Sequence, residues 1–188
     1  MTWFEETSRS LSSVLKLVVH DRTGLAGINN TAEGFWRSFS AIVFIAPLYL
    51  LISGINWEAD ATQIGGAANS FSALKSLVTL SLQWVLWPLV MVYATRWLGL
   101  GQHFSRYVII YNWSNVLVIA GLAIPTLLFK LALLPLEAAL MLTGLLQIFS
   151  FYIEWYLTRL SLETSGLIAG AIVLGNFVLS AGIMRITG

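Results

Sequence analysis

Five runs of about 20 predominantly apolar residues follow one another along the chain, and each is long enough to cross a ~30 Å hydrocarbon core as a helix. They cover residues 36–55, 74–98, 106–129, 136–160 and 166–184. A backbone inside lipid has no water to pair with, so only helices or a closed barrel satisfy its polar groups. The runs are continuously apolar and do not alternate, which points to helices. The expected fold is therefore all-α: a polytopic membrane protein built as a five-helix transmembrane bundle. The charge content agrees, at 10% of residues against about 25% in a soluble domain. Hydrophobic residues make up 57% and mean hydropathy is +0.80. A net charge of +1 gives no basis for a nucleic-acid partner. The absence of cysteine excludes disulfides, thiolate metal sites, thiol nucleophiles and palmitoylation.

Residues 1–35 are expected to form a cytoplasmic or interfacial segment, ahead of a transmembrane domain over 36–188. The segment opens on the acidic Glu5 and Glu6 and lacks the basic start and short apolar core of a signal peptide, so the first span should direct insertion. Leu11, Val14, Leu15 and Val18 fall on one helical face. That predicts an amphipathic helix, either lying in the membrane surface or packed on the end of the bundle. Asn30 is placed to cap the next helix, with Glu33 three residues on. Pro47, Pro88 and Pro125 sit inside spans, and residues 56–72 read as a flexible external loop.

Basic residues set orientation. Arg9, Lys16, Arg22, Arg37, Arg96, Arg106 and Arg159 fall on the side of the N-terminus, and Lys75, Lys130 and Arg185 on the other. The bias predicts a cytoplasmic N-terminus and an external C-terminus.

The third span departs from a plain lipid-facing helix. Asn112 and Asn115 lie three residues apart, on one face. An amide without a partner in hydrocarbon costs about 2–7 kcal/mol, depending on the reference state, so that face should meet protein, water or a ligand. Compared by depth, Gln83, Asn115, Gln147 and Asn176 fall near the middle of four different spans and suggest a shared polar layer. The bland reading is interhelical glue, at about 0.6 kcal/mol per bond. The functional reading is a hydrated path or a small polar binding site. Glue is the expectation, because no acid or base shares that depth.

A second grouping is expected towards the cytoplasmic face: Glu154 with Arg37, Arg96, Arg106, His103 and Asn112. Glu154 alone in hydrocarbon is costly, so pairing with one of the arginines, or neutrality, is expected. The same cluster would suit an anionic lipid headgroup or an acidic segment of a protein partner. Gly166, Gly170 and Gly175 give the fifth span a small-residue seam for close helix contact, within the chain or with another subunit.

Catalytic patterns are sparse. Glu5-Glu6 with Arg9 approximates a string found in intramembrane CAAX-type proteases, but it lies outside the spans and no span contains a histidine. No span contains an aspartate, and there is no phosphate-binding loop. His20 and His103 are the only histidines, and nothing marks them as haem ligands. No catalytic residue, metal site or cofactor is expected.

Leu98-Gly-Leu-Gly101-Gln-His-Phe104-Ser-Arg-Tyr107, followed by Tyr111-Asn-Trp-Ser114-Asn, within a five-span layout, resembles the Yip (Ypt-interacting protein) family and its small bacterial members. The turn holds Gly-Leu-Gly in place of a Gly-Gly pair. The resemblance implies a non-enzymatic scaffold, membrane-organising or accessory protein of the bacterial inner membrane. Such a protein would act through protein contacts, membrane lipids or a second copy of itself. The alternative is a small transporter or channel with its path through the amide layer.

Overall fold

The computed structural model describes residues 2–63 and 71–187, with side chains except at 59–63. Among the described residues the elements are helical: α1 (Trp3–Val18), α2 (Ala32–Ser38), α3 (Ile42–Gln63), α4 (Ala73–Trp97), α5 (Phe104–Lys130), α6 (Leu136–Leu162) and α7 (Gly166–Thr187), with 3-10 turns at Arg22–Gly27, Phe39–Ala41 and Gly101–His103. Five helical segments are long and apolar enough to cross a membrane, and α2 and α3 together make the first of them. The chain is an all-α, multi-pass membrane protein.

The first span differs most from its expected limits. It begins at Thr31, whose hydroxyl accepts from the Gly34 amide at 3.1 Å, so Thr31 and not Asn30 is the cap. Glu33 turns away from capping and pairs with Arg37 at 2.5 Å. The capping box belongs to α1, where Thr2 and Glu5 each accept from the other's backbone amide. Between α2 and α3, Ser38 and Ser40 return hydrogen bonds to the Phe35 and Arg37 carbonyls, both 2.7 Å. Such bonds compete with the helical ladder, and the helix tightens to a 3-10 turn there. At its other end α3 continues to Gln63, through half of the expected external loop. The sequence explains this: no glycine or proline interrupts residues 55–63. Of the rest of that loop, 64–70 lies outside the described residues.

The spans close on one another. α3 packs on α5, α5 on α6, α6 on α7, α7 on α4, and α4 returns to α3. α5 carries the most packing: half of its most apolar window is buried, against 17–33% in the other spans. The α4–α5 turn is tight enough to need Gly99 at φ +72°.

α1 fits both expected readings, one on each flank. Val14 and Leu17 are fully buried, in clusters with Ile109 and Trp113 of α5 and with Ile153 and Leu157 of α6. Phe4, Leu15 and Val19 stay exposed on the other flank. The polar edge is covered as well. Glu6, Ser10 and Ser13 are buried, and the 3-10 turn over Ser13 comes so close that a Cβ on Gly27 would sit 2.0 Å from its hydroxyl. His20, at φ 66°, ends the helix and meets the Tyr152 hydroxyl at 2.8 Å.

Candidate functional site

The helices of the ring line a partly open cavity of about 490 Å³, within the ~300–1,000 Å³ of typical small-ligand sites. All four amides of the expected layer line it: Gln83 from α4, Asn115 from α5, Gln147 from α6 and Asn176 from α7. Glu154 joins them, with the hydroxyl-bearing Tyr111, Ser114, Ser150 and Ser180. Lysine, arginine and histidine are absent from the described lining.

The hydrogen bonds argue against glue. Asn115 Nδ2 donates to the Tyr111 carbonyl of its own helix, at 2.9 Å. Gln147 Nε2 donates to Ser150 Oγ at 3.0 Å, again within one helix. Gln83 has no partner among the described residues. Among the described residues Asn176 alone reaches across, donating to Glu154 Oε1 at 2.6 Å and to the Tyr111 hydroxyl at 3.3 Å.

These partners also fix how the amides face. A backbone carbonyl can only accept, so the nitrogen of Asn115 must point at Tyr111. Ser150 spends its proton on the Gln147 carbonyl at 2.8 Å, so its oxygen accepts from the Gln147 side chain. Among the described residues, no protein donor reaches the side-chain oxygens of Asn115, Gln147 and Asn176. None of the three is sealed from access, unlike the orphaned Asn112 Oδ1. The polar wall thus presents three side-chain oxygens without a protein donor, gathered around one carboxyl group.

The cavity has a polar floor at the α1 end. Tyr111 stacks on Tyr107, with centroids 5.9 Å apart, and Tyr107 accepts from Trp87 Nε1 at 2.8 Å. Beyond this pair a gap of only about 10 Å³ continues towards Thr158 and Ser161, at the limit for a single water. Towards the far end the wall turns apolar, with Leu80, Ile119, Leu122 and Met184.

The expected grouping of Glu154 with arginines is not what the fold makes. Arg37 holds Glu6 at 2.5 Å, and Asn29 donates to the same carboxylate at 2.7 Å. Glu6 is 4% exposed, so its pairing ties α1 to α2 in a largely dry contact. Arg106 donates to the Ser161 carbonyl at 2.8 Å and to Glu163 at 2.7 Å. His103 lies 3.1 Å from Arg106 and 3.8 Å from Glu163. This trio joins the α4–α5 turn to the α6–α7 turn, and the Arg106 hydrogen bond holds the Glu163 carboxyl below the ordinary range. Arg96 is exposed at the end of α4. Asn112, fully buried, donates to Ser38 Oγ at 2.9 Å and braces the break in the first span. Glu154 sits apart from all of these, because its side chain faces the ring interior while the arginines face the membrane surface.

The glycine seam is occupied from within the chain. Trp155 lies over Gly166 and Gly170 and donates to the Gly166 carbonyl at 2.9 Å; a Cβ on Gly166 would sit 3.2 Å from its ring. Gly175 faces Trp87. No group of three His, Asp or Glu side chains among the described residues is placed to hold a metal ion.

Sequence reasoning missed Tyr111, although it precedes Asn115 by one helical turn and so shares its face. It also missed Glu6 and Glu163 as the partners of Arg37 and Arg106. Comparison with family models, with curated proteins and with solved structures finds no match to this chain.

Proposed function

We propose that this protein binds a small solute inside its five-helix ring, as a carrier or gated path does, and performs no bond chemistry on it. The observation that supports this reading is the contact between Asn176 and Glu154. It brings an acid to the amide layer, which is the feature a purely structural layer lacks. A buried ionisable group facing a cavity within a membrane protein is a functional-site signal in its own right. The basic residues concentrated at the α1 end support a cytoplasmic N-terminus, and a bacterial inner membrane is the setting that we propose.

The test is solute exchange in liposomes containing the pure protein. Ser180 lines the cavity, so Ser180→Trp should fill it. Flux of a small polar solute through the wild type, lost in Ser180→Trp, is the expected result. Flux that Ser180→Trp leaves unchanged would sink the reading.

A second reading, a Yip-like scaffold or accessory protein acting on lipids or a protein partner, draws on α1. Its exposed Phe4, Leu15 and Val19 lie beside Arg9 and Lys16, a combination suited to an anionic membrane surface. Native mass spectrometry after mild-detergent purification tests it: retained anionic lipid, lost in Leu15→Glu, is the outcome this reading expects.

A further inference from the structure

We infer that the cavity's solute is an ammonium-bearing organic cation with a compact apolar body, its head held by Glu154 and the side-chain oxygens of Asn115, Gln147 and Asn176. This inference rests on the solute-site reading above and specifies its ligand.

Charge gives the first argument. Glu154 is the one acid in the described lining, no base there answers it, and its nearest partner is a neutral amide at 2.6 Å. A carboxylate in a low-dielectric site without a cation is costly; a cationic solute supplies what the protein withholds, and an anion would be repelled.

Hydrogen bonding gives the second. Asn176 spends both of its N–H donors, on Glu154 and the Tyr111 hydroxyl, and Asn115 and Gln147 each spend one, on the Tyr111 carbonyl and on Ser150. The side-chain oxygens of all three, from three helices, have no donor among the described residues. A pole that gathers three such acceptors around a carboxyl group is complementary to the several N–H donors of an ammonium head.

Shape gives the third. A bare metal ion needs several oxygens converging at about 2.0–2.6 Å, whereas this space measures about 490 Å³. The wall opposite the acceptor pole carries Leu80, Leu122 and Met184, with the Trp84 ring beside them. Apolar surface and an aromatic face suit the carbon body of an organic cation.

The test is calorimetric titration of the full-length protein in nanodiscs, with empty nanodiscs subtracted. The probes are phenethylammonium, phenethyl alcohol as its neutral analogue, and hydrocinnamate as an anion of similar shape. Phenethylammonium should bind the wild type most tightly and hydrocinnamate should not bind. Glu154→Gln should weaken phenethylammonium about thirtyfold or more, as loss of a buried charge partner does, and leave phenethyl alcohol within about twofold. Asn115→Leu, which removes no cross-helix bond, should weaken phenethylammonium about tenfold. Three outcomes overturn the cation assignment: no phenethylammonium binding to the wild type, alcohol binding as tight as ammonium binding, or an ammonium affinity indifferent to Glu154→Gln. If Ser180→Trp still blocks a neutral probe, the solute site survives that loss. Binding of every probe undisturbed by Ser180→Trp overturns both.

Discussion

Asn176 on α7 donates its side-chain amide to Glu154 on α6 across 2.6 Å, the shorter of the two bonds by which, among the described residues, the amide layer crosses from helix to helix. It sits at the floor of the cavity, where Tyr111 shares the same amide. Its coupling is measurable. A double-mutant cycle of Asn176→Ala and Glu154→Ala, followed by thermal unfolding in detergent, should give about 1.5–3 kcal/mol, the range for a hydrogen bond to a charged group. A coupling near zero would mean that the two side chains do not meet in the folded protein.

Asn115→Leu separates binding from assembly. Its amide bonds to its own helix, so its loss should leave the unfolding free energy within about 0.5 kcal/mol, as substitutions that break no tertiary bond do. A marked drop in melting temperature would restore the view of the layer as glue.

Glu6 and Arg37 hold α1 to the first span. Arg37→Ala would leave the Glu6 carboxylate buried with only Asn29 beside it. Breaking a fully buried pair costs about 3–5 kcal/mol, and the Arg37 side chain is 32% exposed, so about 1–3 kcal/mol is expected here. The measurement is amide exchange across α1: protection should fall there in Arg37→Ala and hold across α5. Uniform protection in both would contradict the clamp.

The Arg106–Glu163 contact carries a pH signature. Hydrogen bonding from Arg106 lowers the carboxyl's pKa in the folded protein. A lowered acid contributes stability above its unfolded pKa, about 4.3 for glutamate, and loses it as pH falls through the folded value. The melting temperatures of the wild type and Glu163→Gln should therefore differ at neutral pH and converge on acidification below that range. High salt should narrow the difference at neutral pH, because the contact is exposed. A gap that widens on acidification would reverse the assigned sign.

Much of this was legible in the residues because a membrane leaves few choices. Once lipid demands internally bonded backbone, five apolar runs become five spans. The depth of Gln83, Asn115, Gln147 and Asn176 follows from counting along each helix, and these residues do share one cavity. Rotation about the helix axis was not legible. It decides that Asn115 bonds to its own helix and that Glu154 turns inward, away from Arg37 and Arg106. Pairing across the fold was hidden for the same reason: Glu6 meets Arg37, 31 residues on, only because the 3-10 turn at Arg22–Gly27 packs back along α1 and brings the start of the first span to it. The seam at Gly166 and Gly170 was visible as close contact, but the ring of Trp155 that fills it could be found only from the packing.

The protein contains no cysteine, which makes labelling of introduced thiols the most direct test of an accessible polar cavity. Ser180→Cys and Gln83→Cys place a thiol in its wall, and Leu145→Cys places one on the exposed outer face of α6. A charged methanethiosulfonate reagent reacts with a thiol that water can reach. The account predicts rapid labelling of Ser180→Cys and Gln83→Cys in intact membranes, and little labelling of Leu145→Cys. Labelling of both wall positions no faster than Leu145→Cys would contradict it.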